Sequence, residues 1–102
     1  MGKLIDSFAH HELLSNAFDP RWKIKTEAGI LTKTSEIFRV DRYVEMTDQV
    51  FIIDYKTGRE DGSHHQQVRR YVKEIEDLQT KSVKGYLLYL IDYEKWELIE
   101  VK

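Results

Sequence analysis

No cysteine occurs among the 102 residues, which excludes disulfides, thiolate zinc sites and cysteine-held iron–sulfur clusters. No apolar run approaches 18 residues and no signal-peptide pattern is present, so the chain is expected to work in the cytoplasm, away from membranes. A surplus of basic charge is missing too: 16 Lys and Arg face 18 Asp and Glu, for a net charge of -2. That balance weighs against tight, independent binding to a polyanion, which draws on a basic face. Proline occurs once, at Pro20. What remains is ordinary for a globular chain, with 41% hydrophobic and 33% charged residues. One small domain spanning 1–102, with a single modest core, is the expectation.

Residues 3–18 (KLIDSFAHHELLSNAF) place Leu4, Ile5, Phe8, Leu13, Leu14, Ala17 and Phe18 on a broad apolar side. This predicts a helix, stopped by Asp19 and Pro20. Over residues 21–33, Trp22, Ile24 and Thr26 alternate with Lys23, Lys25 and Glu27 as in a half-buried strand, with Gly29 marking a bulge or bend. Residues 36–45 read as a second strand and the run VFII as a third, joined through Thr47 and Asp48 in a hairpin. TGREDGS is a polar loop, and Ser63 with Gln66 three residues on is a capping-box signal for a helix over residues 64–78. Val68, Tyr71, Val72, Ile75 and Leu78 make the buried stripe of that helix.

VKGYLLYLID lacks alternation, as does a strand covered on both faces, and following a helix it is expected parallel to the third strand through a crossover. KWELIEVK supplies a last strand at an edge. Tyr86, Tyr89, Tyr93 and Trp96 fit core and rim packing better than a base-stacking platform. The order is α-β-β-β-α-β-β, an α/β (α+β) fold with a central mixed sheet flanked by helices.

The hairpin register carries the chemistry. With Thr47 and Asp48 as the loop, Met46 faces Gln49 and, counting outward, Asp41 faces Asp54. Alternation puts Asp54 and Lys56 on one face and Tyr55 on the other. Two carboxylates a few Å apart repel unless a proton or cation lies between them, and hard oxygen ligands suit Mg²⁺ or Mn²⁺. A lysine beside such an ion can position or deprotonate an attacking water and neutralise charge building on a phosphate. Taken alone, Asp41 reads as a surface carboxylate paired with Arg39 or Arg42; the register with Asp54 and Lys56 is what favours a metal role and phosphodiester hydrolysis.

Asp41, then Asp54, Tyr55 and Lys56 followed by Thr57 and Gly58, resemble the D…DYKTG signature of the PD-(D/E)XK nucleases in their RecB-like branch. Gln67 and Tyr71 are similar to that branch's Q-x-x-x-Y motif. The resemblance runs from about Phe18 to the end and is closest to nuclease domains at the C-terminus of UvrD- or AddA-type helicases. One departure is Phe38, at or beside a position where the branch commonly has glycine. The resemblance implies a restriction-endonuclease-like core with Asp41, Asp54 and the main-chain carbonyl of Tyr55 as metal ligands. Glu27, His10, His11 or Glu12 is the candidate for a further ligand. Lys56 is implied to act on the water, and Gln67 and Tyr71 to position water or DNA. Arg42, Arg59, His64 and Arg70 are candidate DNA contacts.

The implied cofactor is Mg²⁺, with Mn²⁺ able to substitute and no iron–sulfur cluster. The implied partners are single-stranded DNA and an attached or associated ATP-dependent helicase, with exonuclease action in recombination and repair. Blander readings stand beside these. Adjacent histidines on a helix are usually solvated, Glu27 also fits an exposed strand carboxylate, and Tyr71 also fits a core aromatic with Gln67 as its solvated neighbour. Glu74, Glu76 and Asp77 interrupt any basic stripe of Arg69, Arg70 and Lys73, as on a mixed solvated face. The rival function is a non-catalytic DNA-binding or docking module of the same fold. A sequence-specific restriction endonuclease needs recognition elements for which 102 residues leave little room.

Overall fold

The computed structural model describes residues 19, 21–92 and 95–102. The helix expected over residues 3–18, with His10, His11 and Glu12, lies outside the described residues. The described elements are β1 (Lys23–Leu31), β2 (Ile37–Glu45), β3 (Gln49–Thr57), α1 (Gly62–Glu76), β4 (Ser82–Leu90) and β5 (Trp96–Val101). The strands form one sheet in chain order, antiparallel except for β3 and β4, which α1 joins in parallel. The result is a small α+β domain with a mixed five-stranded sheet. The parallel pair comprises the two strands that read as apolar runs: residues 50–53 and 86–89 are all buried, as expected of strands covered on both faces.

On the side of α1, Val50, Ile52, Leu87 and Tyr89 meet Val68 and Ile75. On the other face Phe51, Ile53, Tyr86 and Leu88 join Val44 and the half-buried Trp22 and Trp96, so the aromatic residues of β4 and β5 pack instead of forming a platform. Gly85 lets the helix approach. A Cβ there would lie 2.5 Å from Val68 Cγ1 and 2.6 Å from Val72 Cγ2, closer than side chains tolerate, so the absence of a side chain sets the spacing between α1 and β4.

The helix ends differ from the expected ones. Asp61 is the N-cap, its Oδ1 accepting from the Ser63 main-chain N–H at 2.8 Å, and Ser63 therefore lies inside the first turn. The helix stops at Glu76, and Leu78, expected in the buried stripe, is 46% exposed. Leu78 belongs to the turn after the helix, where the 3.6-residue spacing no longer applies.

Met46 N–H donates to Gln49 O at 2.8 Å, closing the two-residue loop of Thr47 and Asp48, and the β2–β3 register runs from Glu45–Val50 to Arg42–Ile53 as expected. In β1 the distortion falls at Glu27 and not at Gly29, which pairs normally with Arg39. The register passes from Thr26–Arg42 to Ala28–Val40, and Glu27 between them has φ 49, a left-handed conformation that costs a non-glycine residue about 1–2 kcal/mol. Side chains change face there. Ile24 and Val44 join the core away from α1, whereas Ala28, Val40 and Phe38 join the one beneath it. The far half of the β1–β2 hairpin thus turns toward the helix, and Phe38 stacks on Tyr71 with ring centroids 4.3 Å apart. Among the described residues no helix is long and apolar enough to cross a membrane.

Candidate active site

Pairing between β2 and β3 ends at Arg42–Ile53. One residue further out, Asp41 and Asp54 meet where the strands part. Asp41 Oδ2 accepts the Tyr55 main-chain N–H at 2.8 Å, standing in for the carbonyl that a continued ladder would offer. Asp54 closes the buried run of β3 and is itself only 7% exposed. Its burial first, and then the neighbouring Asp41 carboxyl, raise its pKa from 3.8 to about 6 against the opposing pull of Lys56.

Lys56 Nζ lies 3.0 Å from Asp54 Oδ2 and donates to Gln67 Oε1 at 3.2 Å. The ammonium is within ion-pair distance of Oδ2 without the alignment of a hydrogen bond, so that buried oxygen has no hydrogen-bond partner among the described residues. A buried carboxylate oxygen left in this condition is an acceptor suited to a cation. Asp41, Asp54 and Lys56 therefore come together, as the hairpin register implied, and Gln67 joins them through its contact with Lys56.

Other candidates go elsewhere. Arg42 lies against the Tyr55 hydroxyl, whose pKa is raised by burial and drawn back by Arg42; Tyr55 packs on the face away from α1. Tyr71 is held in its parallel stack with Phe38. Arg70 is paired with Glu36, and the neighbouring Arg69 donates from Nε to the Lys102 carbonyl at 2.8 Å. Glu27 is exposed, and among the described residues no three His, Cys, Asp or Glu side chains gather as a ligand group. His10, His11 and Glu12 lie outside the described residues.

His64 stays at the site's rim: its Nδ1 and the Tyr89 hydroxyl are 2.9 Å apart. Tyr89 is the register partner of Lys56 across the parallel ladder, and its hydroxyl also accepts from the Asp61 main-chain N–H at 3.4 Å. The sequence reading assigned Tyr89 to packing; its adjacency to Lys56 follows only once the β3–β4 register is known. Two carboxylates suit an ion that keeps much of its water, since Mg²⁺ commonly takes one or two carboxylates and fills the remaining positions with water and phosphate oxygens.

No protein-family model and no curated protein matches the chain. Among solved structures, the fold is similar to that of "Crystal structure of SSO0001", with a TM-score of 0.53 and 19% identity over 99% of this chain and 51% of that one. The chain thus spans about half the length of that structure, and a likeness at this identity is one of fold alone.

Proposed function

We propose that the chain is a metal-dependent deoxyribonuclease domain of the PD-(D/E)XK kind, in its RecB-like branch, which hydrolyses phosphodiester bonds in DNA recombination and repair. What supports this reading is the convergence of Asp41, Asp54 and Lys56 where β2 and β3 part, with a buried Asp54 oxygen lacking a hydrogen-bond partner among the described residues. Asp41, Asp54 and the Tyr55 carbonyl would hold Mg²⁺ or Mn²⁺. When bound, such an ion supplies Lewis-acid stabilisation of phosphate charge and a more acidic water. Lys56 orients the attacking water and neutralises charge that gathers on the phosphate oxygens. Gln67 accepts one of the three ammonium donors, leaving the others for water and substrate. The substrate is a single strand delivered by an attached or associated ATP-dependent helicase, and the net charge of -2 accords with DNA capture by such a neighbour.

The ion pair between Lys56 and Asp54 also favours a second reading, a non-catalytic DNA-contact or docking module, because the ammonium neutralises Asp54 without a metal. Cleavage of a single-stranded oligonucleotide in Mg²⁺ or Mn²⁺ separates the two. The expected result is cutting that EDTA stops and that Asp54→Ala and Lys56→Ala each slow by about 10²–10³-fold. Cutting that survives both substitutions, or an oligonucleotide left intact even by the full-length protein with its helicase, sinks the nuclease reading.

A further inference from the structure

The loop after β3 and the end of β4 enclose a cleft of ≈ 400 Å³ lined by Gly58, Arg59, Glu60, Tyr89, Ile91 and Glu97. It opens at the carboxyl ends of the parallel pair, the end at which sheets with parallel strands favour ligand crevices. It also adjoins the proposed site, because Tyr89 pairs with Lys56 and Gly58 follows Lys56 by two residues. Its volume is in the range of small-ligand pockets. The apolar part of the lining comes from Tyr89, the 58% exposed Ile91 and the Gly58 backbone, which has φ 86 and open space where a Cβ would stand.

Three charged groups stand around it. Glu60 is engaged by His65 Nε2 at 2.6 Å. Arg59 and Glu97, the latter the register partner of Tyr89 in β5, have no hydrogen-bond or ion-pair partner among the described residues. An apolar slot with one such guanidinium and one such carboxylate fits a nucleotide, with the phosphate on Arg59 and the donor edge of the base on Glu97. Guanine presents adjacent N1–H and N2–H donors that match the two oxygens of a carboxylate. Thymine flanks its one N–H with carbonyl oxygens, which a carboxylate repels.

We infer that this cleft is a nucleotide subsite that receives a guanine base next to the scissile bond. The position relative to the cut rests on the nuclease reading above; the nucleotide binding rests on the cleft itself.

The 102-residue protein is titrated in EDTA with 2′-deoxyguanosine 5′-monophosphate and with thymidine 5′-monophosphate, followed by amide NMR at Gly58, Arg59 and Ile91. The guanine nucleotide is expected to shift these amides with a Kd about tenfold below that of the thymine nucleotide, the discrimination of one bidentate base contact. Glu97→Gln brings the two within about twofold, because an amide offers one acceptor where the carboxylate offers two. Ile91→Ser, at an exposed position, weakens both nucleotides together. Silence at these amides, or equal affinity for the two nucleotides in the parent, overturns the inference. With metal chelated the readout is independent of cutting. Binding here by a protein that cuts nothing removes the nuclease reading and keeps the subsite, whereas cutting with silent cleft amides removes the subsite alone.

Discussion

Burying the Asp54 carboxyl beside Asp41 makes its charged form the costly one, since the pKa rises from 3.8 to about 6. A group raised in the folded state stabilises the fold below pH 3.8, and that contribution fades as pH climbs through about 6. At 1.36 kcal/mol per pH unit, the metal-free protein loses on the order of 2–3 kcal/mol from this group across that window. Asp54→Asn is therefore expected to raise the thermal midpoint in EDTA at about pH 7.5, by roughly 4–8 °C per kcal/mol recovered, while destroying metal affinity. A midpoint equal to or below the parent's contradicts the account. The same proton competes with a cation, so calorimetric Mg²⁺ affinity should drop about tenfold per pH unit below the Asp54 pKa. Gln67→Ala, which frees Lys56, is expected to slow cleavage by about 10–100-fold with Mg²⁺ affinity retained; a loss of metal affinity instead would place Gln67 among the ligands.

Asp41, Asp54 and Lys56 are legible because one two-residue loop fixes every opposed pair in the hairpin. Asp41 was brought to Asp54 by counting alone, and Lys56 followed by alternation. Tyr71 and Tyr89 were less legible, because a phenol at helical or strand spacing looks the same whether it faces a site or a neighbouring ring. Phe38 decides for Tyr71, and the parallel register decides for Tyr89; both depend on contacts between elements distant in the chain.

Among the elements, α1 governs the site through one missing side chain. The closeness of Gly85 to Val68 and Val72 sets how near the helix sits to the sheet, and Gln67 precedes Val68 on that helix. Gly85→Ala should therefore destabilise by about 1–3 kcal/mol, the usual penalty for overpacking, and slow cleavage by a Lys56 that Gln67 no longer reaches. Denaturant unfolding and single-turnover kinetics on the same variant check both halves. Full activity in a destabilised variant would show that the spacing of the helix does not matter to the amine. The strands are readable from alternation and from apolar runs, whereas Gly85 is hidden inside one such run. The cap was misplaced because Asp61 and Ser63 both offer an acceptor near the first turn, and pattern alone does not choose between them. The strand pattern points to Gly29 for the β1 distortion, yet Glu27 carries it, where the hairpin turns toward α1.

For the whole molecule, charge bears on how the proposed DNA substrate would be met. The net charge is -2, and Arg70 is tied to Glu36 and Arg69 to the Lys102 carbonyl, so these two arginines of α1 do not extend a basic track along the helix. The affinity of the isolated protein for single-stranded DNA should fall with salt by a slope of about -1.4 to -2.1 in logarithmic units, corresponding to two or three phosphate contacts. A steeper slope, measured by fluorescence anisotropy over a range of NaCl, would reveal a basic track that the described residues do not supply. Composition shows the acidic balance; it does not show which arginines the fold engages with its own carboxylate and carbonyl.

Because the Tyr55 amide is satisfied by an acid and not by a carbonyl of β2, the hairpin is kept from completing itself. Were Asp41 shortened to alanine, the donor would be orphaned and the cheapest remedy would be for the two chains to zip one rung further, sealing the gap. Asp41 is thus a doorstop as well as a ligand candidate, and the opening it holds is an unfinished piece of sheet.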